Sequence, residues 1–132
     1  MTIISNLPWT INIHGNAPTT GGSSDGKMTK WNGTDYFAAT KLHNALNIVA
    51  TDGHLEAPID PDMTAPANYS INLTGTDLLL GNGIPEGQDV DGISGETRTV
   101  TFNQNVIGSD AALSSGFSYH IVASFTAANV DW

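Results

Sequence analysis

Apolar and polar side chains alternate along this chain wherever glycine and proline do not interrupt it. Trp9, Ile11 and Ile13 alternate with Thr10, Asn12 and His14, a period of two that places one set on each face of a strand. Tyr69–Thr74 and Thr97–Ile107 repeat the pattern. Gly116–Thr126 shows it most clearly, with Phe117, Tyr119, Ile121, Ala123 and Phe125 on one face and Ser118, His120, Ser124 and Thr126 mostly on the other. The alternation predicts strands over 1–14, 69–74, 97–107 and 116–126, with a further short strand over 77–80. It also predicts a core lined by Phe117, Tyr119, Ile121 and Phe125. Pro8 suits a strand start or a sheet edge.

Residues 27–50 carry two competing patterns. Met28–Trp31, then Asn32-Gly33, then Thr34–Phe37 has the form of a β-hairpin around an Asn-Gly turn. A helix capped by Thr34 or Asp35 would instead put Ala38, Leu42, Ala45, Leu46 and Val49 on one face. The combined expectation is a hairpin over 27–38 and a short helix over about 39–48.

Three stretches break the alternation. Residues 15–26 offer almost nothing to a core. Residues 51–68 hold Pro58, Pro61 and Pro66, and residues 81–96 hold five glycines, Pro85 and four acids. No fixed-period repeat runs through the chain, which excludes a solenoid. The sequence therefore predicts one mainly β domain of six to eight short strands. Its form would be an antiparallel β-sandwich or partly open barrel with long loops and at most one or two short helices.

Composition narrows the function. Among 132 residues, Lys27, Lys30, Lys41 and Arg98 face thirteen acids, for a net charge of −9. Nucleic acid requires cations to replace its counterions, and anionic membranes attract basic segments, so neither is an expected partner. No apolar run approaches the roughly 20 residues of a membrane span, and the N-terminal segment lacks the basic start of a secretory leader. Synthesis in the cytosol is expected. There is no cysteine, hence no disulfide frame or thiolate metal site. No lysine or arginine lies between Lys41 and Arg98, while nine of the thirteen acids fall in 52–96. That one-signed field suits a solubilising surface, a basic partner or cations.

Few residues suggest chemistry. Gly22-Ser-Ser-Asp-Gly26 matches the letters G-x-S-x-G, yet a nucleophile elbow needs a strand before it and a helix after it. Gly81, Gly83 and Gly87 are misplaced for a dinucleotide loop, and Pro85 interrupts them. Of the four histidines, His14, His43, His54 and His120, none has the spacing of a helical zinc pair, though His14 and His120 could meet on adjacent strands. Asp89, Asp91 and Glu96, with the Gly92 turn, form the best candidate metal set, a weak Ca²⁺ site. Ile93 stands where a third alternating acid would be needed, so the expected response to EDTA is none. Trp9, Trp31 and Trp132 could include a ring exposed to sugar. Nothing selects a catalytic residue, and the chain is expected not to be an enzyme.

Lys27-Met-Thr-Lys-Trp31-Asn-Gly-Thr34 resembles the Lys/Trp/Asp-Gly-Thr hairpin of lambdoid head-decoration proteins, and similar hairpins occur at bacteriophage fibre tips. The Thr/Gly/Asn-rich, cysteine-free composition and the loose N-terminal segment add to the likeness. The resemblance implies a virion structural protein, a cement subunit on the capsid exterior that often forms trimers and clamps neighbouring shell subunits. The strong C-terminal strand and acidic middle depart from that family. A capsid decoration protein is thus the leading expectation. A tail or other fibre subunit, and a carbohydrate- or calcium-binding module, are the alternatives. Expected partners are capsid or other virion subunits and further copies of the chain. Residues 1–14 would serve either as an arm added to a neighbour's sheet, with Trp9, Ile11 and Ile13 filling its pockets, or as a strand of the domain's own sheet.

Overall fold

Alternation becomes strand nearly throughout. The structure, a computed structural model, describes residues 2–3, 5, 7, 9–18, 24–54, 69–83 and 96–129. Among them the strands are β1 (Thr2–Ile3), β2 (Trp9–Gly15), β3 (Thr29–Trp31), β4 (Tyr36–Lys41), β5 (Asn47–His54), β6 (Tyr69–Asn72), β7 (Leu78–Gly83), β8 (Glu96–Asn103), β9 (Ser118–His120) and β10 (Ala123–Asn129). They form three antiparallel sheets. Sheet 1 has the order β1-β8-β5-β6, sheet 2 the order β10-β2-β7, and sheet 3 the order β4-β3-β9. The chain is mainly β, as its pattern predicts, and no helix or closed barrel occurs among the described residues.

Sheets 1 and 2 share one core. Trp9, Ile11 and Ile13 from β2 meet Ile48 and Ala50 from β5, with Leu46, Leu73 and Leu80 completing the cluster. β2 and β5 are each paired on both sides, and their core side chains Trp9, Ile11, Ile13, Ile48 and Ala50 are buried. β2 reads buried–intermediate–buried over its whole length, a direct record of the period-two pattern. β2 is therefore the central strand of this domain's own sheet 2, and β1 an edge of sheet 1. Trp9, Ile11 and Ile13 lie in the core of this chain, so in this fold they are not exposed to fill a neighbour's pockets.

The C-terminal strand also differs from expectation. It divides into β9 and β10, which belong to different sheets. Phe125 does share a face with buried Ile13, its register partner on β2. β10 is an edge, however, and Phe125 remains 46% exposed. Ile121 and Ala123 only pack against the core's flank, while Tyr119 in sheet 3 and Phe117 just before it are half-buried. The Tyr119 hydroxyl donates to the Ala111 carbonyl at 2.7 Å. Core status here depends on a strand's position in the sheet, which alternation does not encode.

The expected helix over 39–48 is absent. β4 runs to Lys41, and the Leu42 amide donates to Met28 O at 2.9 Å. Leu42 and Leu46 are both buried at helical spacing, but a turn separates them. Leu46, Ile48 and Ala50 then continue at period two into β5. Gly81 and Gly83, read as loop from sequence, lie within β7, so neither belongs to a phosphate-binding turn.

Candidate docking surface

The hairpin β3–β4 forms where the Asn-Gly signal places it. Asn32 Oδ1 accepts the amides of Thr34 at 2.9 Å and Asp35 at 2.7 Å, closing the turn. Gly33 takes φ +101°, a conformation open to glycine at little cost. β9 joins the other side of β3 and completes sheet 3.

The register sorts sheet 3 into two aromatic faces. Trp31 lies opposite Tyr36 and Ser118, and Thr29 opposite His120. On this face the Trp31 ring stacks on His120 at 4.3 Å with 19° between planes. Tyr36 Oη lies 2.5 Å from His120 Nδ1. Partial burial pushes the Tyr36 hydroxyl above the usual phenol range.

On the opposite face Lys30 pairs with Phe37 and Tyr119. Lys30 Nζ lies 4.0 Å from the Phe117 ring centroid and 5.4 Å from that of Phe37. The two phenyl rings meet edge to face at 5.5 Å. Such cation–π contacts contribute about 0.5–1 kcal/mol each when exposed. Both faces thus carry oriented rings that the core cluster does not include.

A second ordered element flanks sheet 3. Asp110 accepts the His43 amide through Oδ1 at 2.7 Å and the Ile107 amide through Oδ2 at 2.8 Å. Asn44 Nδ2 donates to Asn105 O, and Gln104 Nε2 donates to Asn44 O. These bonds tie 104–110 to 43–44 and hold Val106 outward at 64% exposure. The hydrogen bonds from Ile107 and then His43 lower the Asp110 pKa below the ordinary aspartate value. Its folded-state value is depressed, so its stabilisation is complete above the unfolded value of about 3.9 and is lost as pH falls through the folded value. Melting of the native chain and Asp110→Asn, compared between about pH 5 and about pH 3, is expected to show a gap that closes with acid. A gap independent of pH would contradict this.

The remaining candidates separate. His14 Nδ1 lies 2.8 Å from Asp77 Oδ1, whereas His120 belongs to the Trp31–Tyr36 cluster, so the two histidines have separate partners. Ser24 Oγ accepts the Gly26 amide at 3.2 Å, and the chain leaves this loop as β3, not as the helix an elbow needs. Asp25 accepts the Lys27 amide and pairs with the Lys41 ammonium. Asp89 and Asp91 lie outside the described residues, as does the side chain of Glu96. Among the described residues no group of three metal-ligating side chains occurs. Most of the acidic stretch 52–96 and Trp132 likewise lie outside them.

Sequence reasoning missed the clusters of sheet 3. The pairs Trp31–Tyr36 and Lys30–Phe37 follow from hairpin register once the turn is placed. His120 arrives on β9 and Phe117 on the residue before that strand, 80 or more positions later in the chain. No protein-family model, curated protein or solved structure matches the chain.

Proposed function

We propose that this chain is a virion structural protein of the capsid decoration, or cement, kind, which docks on a protein shell through the β3–β4 hairpin. The observation that carries the reading is the pair of aromatic faces on sheet 3, whose rings are oriented by stacking, a hydrogen bond and a lysine but lie outside the core cluster. Aromatic residues held in place before contact lose little entropy on binding and dominate protein interfaces. Many equivalent weak contacts around a shell would supply strength without chemistry. The hairpin is also the segment that resembles the decoration family. A tail or fibre subunit would use the same surface.

The test is co-sedimentation of the purified chain with expanded tailed-phage shells, comparing the native protein with Trp31→Ala and Phe37→Ala. Each substitution is expected to reduce stability by about 1 kcal/mol and shell affinity by about tenfold or more. Unchanged binding by both folded variants would refute the docking assignment. A second reading, a neutral-sugar site, is favoured by the flat Trp31–His120 stack with its adjoining hydroxyl. Glycan binding lost in Trp31→Ala but not in Phe37→Ala would favour it.

A further inference from the structure

Among the described residues the three sheets end in six edge strands, and five of these are short or irregular. β1, β6 and β9 have two, four and three residues. β7 is bulged opposite Ile11/Asn12, and β4 opposite Thr29/Lys30. Short length and bulges are how proteins keep sheet edges from pairing with other chains. β10 uses neither device. It is seven residues long, Ala-Ser-Phe-Thr-Ala-Ala-Asn, without charge, proline or glycine. Its register with β2 is unbroken from Ala123 to Asn129, and among the described residues no strand lies on its outer side.

An apolar rim runs beside this edge. Phe125 of β10 and Phe102 of β8 both occupy the inward faces of their sheets, in register with Ile13 and Ile48. They meet edge to face at 6.5 Å yet are 46% and 43% exposed. A further strand alongside β10 would cover both rings and pair main-chain groups that no described strand uses.

We infer that this strand is β10 of a second copy of the same chain, added antiparallel about a two-fold axis at Thr126. Charge identifies the occupant. The chain carries −9 overall, so a basic partner would seek carboxylates, and β10 offers none. Two copies can approach there without opposing like charges. Size agrees with charge. Pairing centred on Thr126 sets Phe125 opposite Ala127 of the second copy, a large residue against a small one on the same face, twice over. The contact is isologous and closed, and joins two three-stranded sheets into one of six strands. It gives a dimer, not the trimer implied by the family resemblance.

This deepens the assembly reading without using the hairpin. A monomer that still binds shells overturns the pairing alone, and a dimer that binds none overturns the docking alone. The full chain is measured by size exclusion with light scattering at tens of micromolar, and a dimer is expected. Thr126 is exposed on the outer face and would face its own copy across the axis. Thr126→Lys and Thr126→Glu are each expected to weaken dimerisation by about tenfold or more through like-charge opposition, and an equimolar mixture to restore it. In the native chain, hydrogen exchange at 123–129 should slow with rising protein concentration. A monomeric or trimeric native chain, folded variants that dimerise normally, a mixture that stays monomeric, or exchange independent of concentration would each overturn the inference.

Discussion

Gly26→Ala is expected to destabilise the chain by about 3 kcal/mol or more, a large part of the roughly 5–15 kcal/mol available to a domain of this kind. Gly26 has φ +75°, and a Cβ there would lie 1.6 Å from the Leu73 carbonyl oxygen and 2.5 Å from its carbon. A left-handed backbone costs a non-glycine residue about 1–2 kcal/mol, and forced overpacking adds about 1–3 kcal/mol. The clash is with main chain, which cannot rotate away. Leu73 is also held, because its amide donates to Leu46 O at 2.7 Å and the Leu46 amide donates to Gly26 O at 2.8 Å. Three distant segments are locked at this point, beside the buried side chains of Leu46 and Leu73. Gly33→Ala is the control, since Gly33 also has positive φ but faces open space, leaving only the backbone cost. Urea denaturation of both variants measures the difference. Equal midpoints would show that Leu73 yields more readily than this packing implies.

Removing residues 1–14 is expected to abolish folding. The deletion takes out β2, unpairs β10 and β7 together, and removes Trp9, Ile11 and Ile13 from the core. A folded, soluble truncation by circular dichroism would favour the arm reading. Ile13→Ala asks the same question with one side chain. Ile13 is fully buried, and losing such a side chain costs about 2–5 kcal/mol. Phe125→Ala should cost less, although phenylalanine is the larger residue, because its ring already meets solvent. Chemical denaturation of both variants sets the order. A larger loss at Phe125 would mean that the C-terminal strand is central, as its alternation suggests.

The contrast between Ile13 and Phe125 separates what local pattern can determine from what it cannot. Alternation identifies both as inward residues, and in register they do share a face. One is sealed and the other half open because β2 has neighbours on both sides and β10 on one. The spacing of Leu42 and Leu46 misleads for a related reason. Two buried leucines four apart fit a helix turn or a bend between strands equally well, and the main-chain bonds to Met28 and Gly26 decide for the bend. The hairpin was legible because its turn chemistry is local, Asn32 capping the two amides that follow Gly33. The stack on Trp31 and the cation–π contact of Lys30 were not, since His120 on β9 and Phe117 just before it come from far along the chain.

By itself, the sequence determined the β class, the Asn32-Gly33 turn, the absence of a cysteine framework and the acidic character. Each depends on neighbouring residues or on composition. Tertiary structure decided which strand became the core, which edge stayed open and which rings met on sheet 3. The physical reason is that a side chain's alternation records only which of two faces it takes. What covers that face is settled by pairing between segments as remote as β2 and β10, whose hydrogen bonds and buried area exist only once the chain has closed on itself.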